Sequence, residues 1–110
     1  MAATVYSTRF VKTALTAANT TYFTVPAGFV VVVRTMTLAW ASLARVAGSA
    51  DVLLNGANSW VWRQPIDASS VASAVWTGDL VLPAGEIIRA STSATGTVFL
   101  TVSGFQLAAL

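Results

Sequence analysis

Cysteine and histidine are absent from this chain of 110 residues, and lysine occurs once, at Lys12. The first two absences exclude disulfides, thiolate and imidazole metal sites, and the side chains behind most acid–base and nucleophilic catalysis. Charge is scarce too: Asp, Glu, Lys and Arg make up 9% of the residues, against about 25% in an average soluble domain. Apolar residues make up 55%. A single domain of this size has too little interior to hide them, so Ala, Thr, Ser and aliphatic side chains must cover much of its outside. Oligomerisation is the remaining way for so small a core to gain stability. The chain therefore reads as a subunit of an assembly.

The few charges are scattered. Arg9, Lys12, Arg34, Arg45, Arg63 and Arg89 stand against Asp51, Asp67, Asp79 and Glu86, for a formal net charge of +2. No window holds the basic cluster that a nucleic-acid groove needs, so no nucleic-acid partner is expected. Residues 13–33 and 90–110 carry no charge, but the first contains Asn19, Thr20, Thr21, Pro26 and Gly28, and the second is rich in Ser and Thr. Neither is the run of about 20 mainly apolar residues that a spanning helix requires, so no membrane partner is expected. The start, Met1 to Tyr6, lacks the basic region and apolar core of a secretion signal. Synthesis and assembly in a cytoplasm follow as the expectation.

What the chain does contain is strand signal. Residues 29–40 combine β-branched and aromatic side chains with polar breaks and no helix cap, which predicts a long strand. Residues 97–107 place Val98, Leu100 and Val102 on one face and Thr97, Phe99, Thr101 and Ser103 on the other. Phe99 on the more polar face points to a contact outside the core. Further strands are expected at 4–10, 20–25, 50–54, 59–64, 71–77 and 86–92, punctuated by Asn55-Gly56, Pro26-Ala27-Gly28, Pro83-Ala84-Gly85 and Ala94-Thr95-Gly96. Short strands at this spacing predict an all-β fold: one antiparallel β-sandwich domain over 1–110, jelly-roll-like, with an N-terminal arm over about 1–20 and a short tail at 108–110. The alternative is a helix in the Ala-rich stretches 39–47 or 68–75, which Ser and Gly interrupt. An internal echo accompanies the strands, since Val25-Pro-Ala-Gly-Phe and Leu82-Pro-Ala-Gly-Glu each precede an aliphatic strand with one arginine, Arg34 and Arg89. Each predicts a tight turn with glycine at positive φ, and the pair suggests equivalent corners of two Greek-key halves.

Chemistry-bearing constellations are few. Asp79 and Glu86 flank a Pro-Gly turn, where carboxylates sit solvated rather than convergent. No phosphate loop, nucleophile elbow or calcium loop occurs. No catalytic residue, metal site or cofactor is expected. Trp60-Val61-Trp62-Arg63 sets both indoles on one strand face at period-two spacing, with Arg63 on the other. The indoles suit the core of the sandwich, a subunit contact or a glycan platform. Arg34 shares the strand face of Val32, Met36 and Leu38, and its expected partners are Asp51, Asp79, Glu86 or a carboxylate of a neighbour. The small, apolar ends, Met1 to Tyr6 and Ala108 to Leu110, either fray or dock on a neighbour. Trp60, Trp62, Arg63, Arg34, Phe99, Phe105 and Leu110 are the candidate interface residues.

Taken in order, Val25-Pro-Ala-Gly with an aliphatic strand to Arg34, then Trp76-Thr-Gly, Val81-Leu-Pro-Ala-Gly-Glu-Ile-Ile and Val102-Ser-Gly-Phe-Gln-Leu resemble the small all-β virion proteins of tailed bacteriophages. The resemblance covers roughly residues 22–107 and leaves out 41–49. It implies a non-enzymatic structural subunit in a virion, in the tail or tail tip, whose partners are copies of itself in a trimer or larger ring and other virion proteins. A capsid-decorating cement protein is the first alternative. A lectin-like module holding host glycan on Trp60 and Trp62 is the second.

Overall fold

The computed structural model describes residues 5–40, 48–54, 60–66, 73–93 and 98–108. They form eight strands: β1 (Val5–Ala14), β2 (Thr20–Thr24), β3 (Phe29–Trp40), β4 (Gly48–Leu54), β5 (Trp60–Ile66), β6 (Ser73–Leu82), β7 (Ile87–Thr92) and β8 (Val98–Ala108). All pair antiparallel, in two four-stranded sheets ordered β1-β8-β3-β6 and β2-β7-β4-β5. β1 pairs with β8, β2 with β7, β3 with β6 and β4 with β5, so the chain is one long hairpin folded over on itself. Part of the segment expected as an N-terminal arm is thus β1, an edge strand of the first sheet. The Ala-rich stretches 39–47 and 68–75 fall largely outside the described residues, and their described ends, 39–40 and 73–75, are strand. No helix is long and apolar enough to cross a membrane among the described residues.

Two-residue alternation supplies the core. Val98, Leu100 and Val102 of β8 face Ala50 and Val52 of β4 and Ile88 and Ala90 of β7 across the sandwich, all within one buried cluster. Phe10 of β1 and Phe23 of β2 close one flank, with ring centroids 5.1 Å apart and planes tilted by 44°. That geometry adds a favourable aromatic contact between the two sheets.

Glycine governs two corners. In the links β2–β3 and β6–β7 the Pro26 carbonyl accepts from the Phe29 amide and the Pro83 carbonyl from the Glu86 amide, each at 3.2 Å. Gly28 (φ 82°) and Gly85 (φ 89°) occupy the third position of these turns, the position that makes them type II and that disfavours a Cβ. The echoed turns also touch each other. The Val25 amide donates to the Glu86 carbonyl at 2.9 Å, and the Gly85 amide donates to the Val25 carbonyl at 3.0 Å.

Candidate interaction face

β3 does not keep one alternation from end to end. Its buried residues run Val31, Val33, Met36, Leu38 and Trp40, a step of three between Val33 and Met36, because the pairing with both β8 and β6 shifts at Arg34. Arg34 is bulged, and its guanidinium reaches Asp79 of β6 at 2.9 Å. This corrects the placement of Arg34 on the face of Met36 and Leu38. The extra residue turns both Arg34 and Val32 to the opposite face, and the side chains of Arg34 and Asp79 are 53% and 67% exposed. A pair so exposed contributes at most about 1 kcal/mol.

The bulge shapes a shallow depression of ≈ 550 Å³ lined by Arg34, Thr35, Thr77, Gly78, Asp79 and Phe105. Two glycines permit it. A Cβ on Gly104 of β8 would overlap the Val32 carbonyl oxygen, so the close approach of β8 to the bulge requires glycine there. Gly78 lies against the indole of Trp76, whose ring a Cβ would meet at 3.1 Å.

Around the depression no described strand covers the outer face of the first sheet. From β6 through β3 to β8 its rows read Val81, Val32, Phe105; Thr77, Thr35, Ser103; Val75, Thr37, Thr101; and Ser73, Ala39, Phe99. Val75 and Val81 are each 61% exposed and Phe99 is 52% exposed. On β1 the same rows end in Arg9, beside Ser103, and Lys12, beside Thr101, both exposed. The face therefore carries Arg9 and Lys12 along one edge and the Arg34–Asp79 pair toward the other.

The second sheet presents a different exterior. Arg63 of β5 grips Asp51 of β4 through two hydrogen bonds, Nε to Oδ1 at 2.9 Å and Nη2 to Oδ2 at 3.2 Å. The bond to the carboxylate holds the guanidinium pKa above its ordinary value. Leu53, outside the core cluster and in register with Arg89, is nevertheless buried.

Among the candidate residues, the structure brings Arg34 and Phe105 together at the depression and leaves Phe99 exposed on the same face. Arg63 lies on the other sheet, paired with Asp51. Trp62 packs partly buried against the core. The pairing of β5 shifts at Val61, setting Trp62 opposite Val52 and Trp60 opposite Leu53. The Trp60 side chain and Leu110 lie outside the described residues. Val75 and Val81 were not among the candidates. Their signal was the alternation Val75, Thr77, Asp79, Val81, which is visible only when β6 is carried past residue 77 to Leu82.

Among the described residues no group of three or more carboxylates is placed to hold a metal ion. Asp79 is committed to Arg34, while Glu86, across the Pro83–Gly85 turn, has a buried Oε2 without a hydrogen-bond partner. No family model, no curated protein and no solved structure matches the chain.

Proposed function

We propose that the chain is a non-enzymatic structural subunit of a bacteriophage particle, a tail component that packs against protein through the outer face of its first sheet. The observation that carries this reading is that face itself. Exposed Val81 lies in register with half-buried Val32 and Phe105 across three strands, and exposed Val75 and Phe99 stand on the same face among Thr, Ser and Ala; large apolar side chains left exposed together on one face mark interaction sites. The accessible surface, 5929 Å², is close to the roughly 5,800 Å² expected for a monomer of this mass. Its extent is therefore ordinary and its chemistry is not: a surface this size with charge on 9% of residues favours being covered.

We further read the fold as a jelly roll. Strand orders β1-β8-β3-β6 and β2-β7-β4-β5, with the nested pairs of one folded hairpin, support that reading, and the architecture is common in viral shells. That link is an analogy of fold and supports the reading without carrying it. The virion setting rests on the sequence resemblance.

An antibody raised against the chain and applied to purified particles tests the proposal. Labelling at the tail supports it, and labelling spread over the head replaces it with the capsid-decorating role. Particles that lack the chain overturn it.

A further inference from the structure

We infer that the outer face of the β1-β8-β3-β6 sheet binds a second copy of this chain, face to face, about a twofold axis running along the strands between β8 and β3. The inference rests on the subunit reading and adds the occupant and the geometry. Such an axis lays β8 of one copy over β3 of the other and β6 over β1, while each row keeps its height. The registers then match large side chains to small ones. Phe99 on β8 shares a row with Ala39 on β3, Phe105 with Val32, and Leu107 with Val30. In the pair, Phe99, Phe105 and Leu107 each meet a smaller row-mate on the second copy, while Ser103 and Thr101 meet Thr35 and Thr37, and each contact occurs twice.

Charge follows the same operator. Asp79 of β6, two residues from Thr77, lies at nearly the height of Arg9 of β1, which shares the row Thr77, Thr35, Ser103, Arg9. The axis sets Asp79 of each copy against Arg9 of the other. Val75 is likewise set over the aliphatic stem of the second copy's Lys12, its row-mate. Arg9 and Lys12 are exposed and make no ion pair among the described residues. Sliding the copies by one row brings Arg9 over neutral residues of β6, and turning one end for end lays β3 on β3 and brings Arg34 toward Arg34, so the charges select this register. Four strands spaced by about 4.8 Å, each with about ten residues rising about 3.3 Å, give a face of roughly 600 Å². Two such faces reach the lower end of a stable interface, about 1,200 Å².

The test reverses the charges by Arg9→Asp and by Asp79→Arg, in two separate proteins, with sedimentation of each alone and of an equimolar mixture. Each alone places like charges at both contacts, and its self-association is expected to weaken roughly tenfold or more. In the mixed pair both contacts are again opposite in sign, so association returns toward that of the parent. A folding defect or the lost Arg34 pairing cannot produce that recovery. If the parent associates and both variants match it, or if the mixture gains nothing, the inference is overturned and the subunit reading stands. A parent that stays monomeric at every concentration also overturns it, and the particle labelling then decides the subunit reading alone.

Discussion

The amide of Gly85 donates to the carbonyl of Val25 across 3.0 Å, tying the β6–β7 corner to the β2–β3 corner. Each corner follows a nearly fully buried residue, Val25 or Leu82, at 1% exposure. The two echoed Pro-Ala-Gly sequences thus form one joined structure at one end of the sandwich. The physical content of the repeat is the positive φ that both glycines adopt.

Gly28→Ala and Gly85→Ala should each destabilise the fold by about 1–2 kcal/mol, the cost of a Cβ in a left-handed backbone. Nothing lies within 4 Å of the added Cβ at either site, so the cost is conformational and the two values should agree. Asparagine at either position should recover part of the loss, since it tolerates that backbone better than alanine. Urea unfolding midpoints measure all four variants. A difference between the two alanine variants well outside error would mean that the joined corner, rather than φ, sets the cost.

Gly104→Ala and Gly78→Ala should part company. The first drives a methyl group into the Val32 carbonyl oxygen, a backbone atom held by the β3–β8 ladder, whereas the second meets only the edge of the Trp76 ring at 3.1 Å. We expect Gly104→Ala to cost more than about 4 kcal/mol, enough to prevent folding of a domain this small. Gly78→Ala should cost under about 1.5 kcal/mol and shift the tryptophan emission as the indole moves aside. Soluble yield and fluorescence after expression separate the two, and a well-folded Gly104→Ala protein would remove the argument for the bulge.

The two ion pairs also predict different outcomes. Arg34→Ala should change monomer stability by no more than about 0.5 kcal/mol, because both partners are exposed. Asp51→Ala should destabilise more, since the Asp51 side chain is only 16% exposed and accepts two hydrogen bonds from Arg63. Thermal unfolding at low and high salt reads both variants. An Arg34→Ala protein that loses as much as Asp51→Ala would mean the bulge depends on its charge pair.

Much of this fold was legible in the sequence, and the misses share a cause. All eight strands lie where alternation and Gly-Pro punctuation put them, with Phe29–Trp40 recovered to the residue. β1 and β6 run longer than expected, because Lys12 and Asp79 are outward rungs of an edge strand, where charge does not end a strand. The face of Arg34 failed where the pairing slips. A single bulged residue reverses every side chain beyond it, and nothing in Val33-Arg34-Thr35 or Trp60-Val61-Trp62 announces one before the partner strands are known. Alternation alone therefore puts Arg34 on the side of Met36 and Leu38, where the bulge does not leave it. Phe99 was read correctly as outward because β8, its own strand, is continuous through Leu100, Thr101 and Val102.

Neighbouring residues on β8 then give the sharpest contrast between fold and function. Leu100 is fully buried at the centre of the core, and Leu100→Ala should cost about 2–5 kcal/mol through lost burial and the cavity left behind. Phe99, one residue earlier, projects from the opposite face at 52% exposure. Phe99→Ala should leave the unfolding midpoint of the dilute protein nearly unchanged while weakening its association at high concentration. The reverse pattern, a large loss of monomer stability from Phe99→Ala with association intact, would place the ring in the fold rather than in the contact. Paired unfolding and light-scattering runs on the two variants read both quantities from the same samples, so stability and self-association are separated.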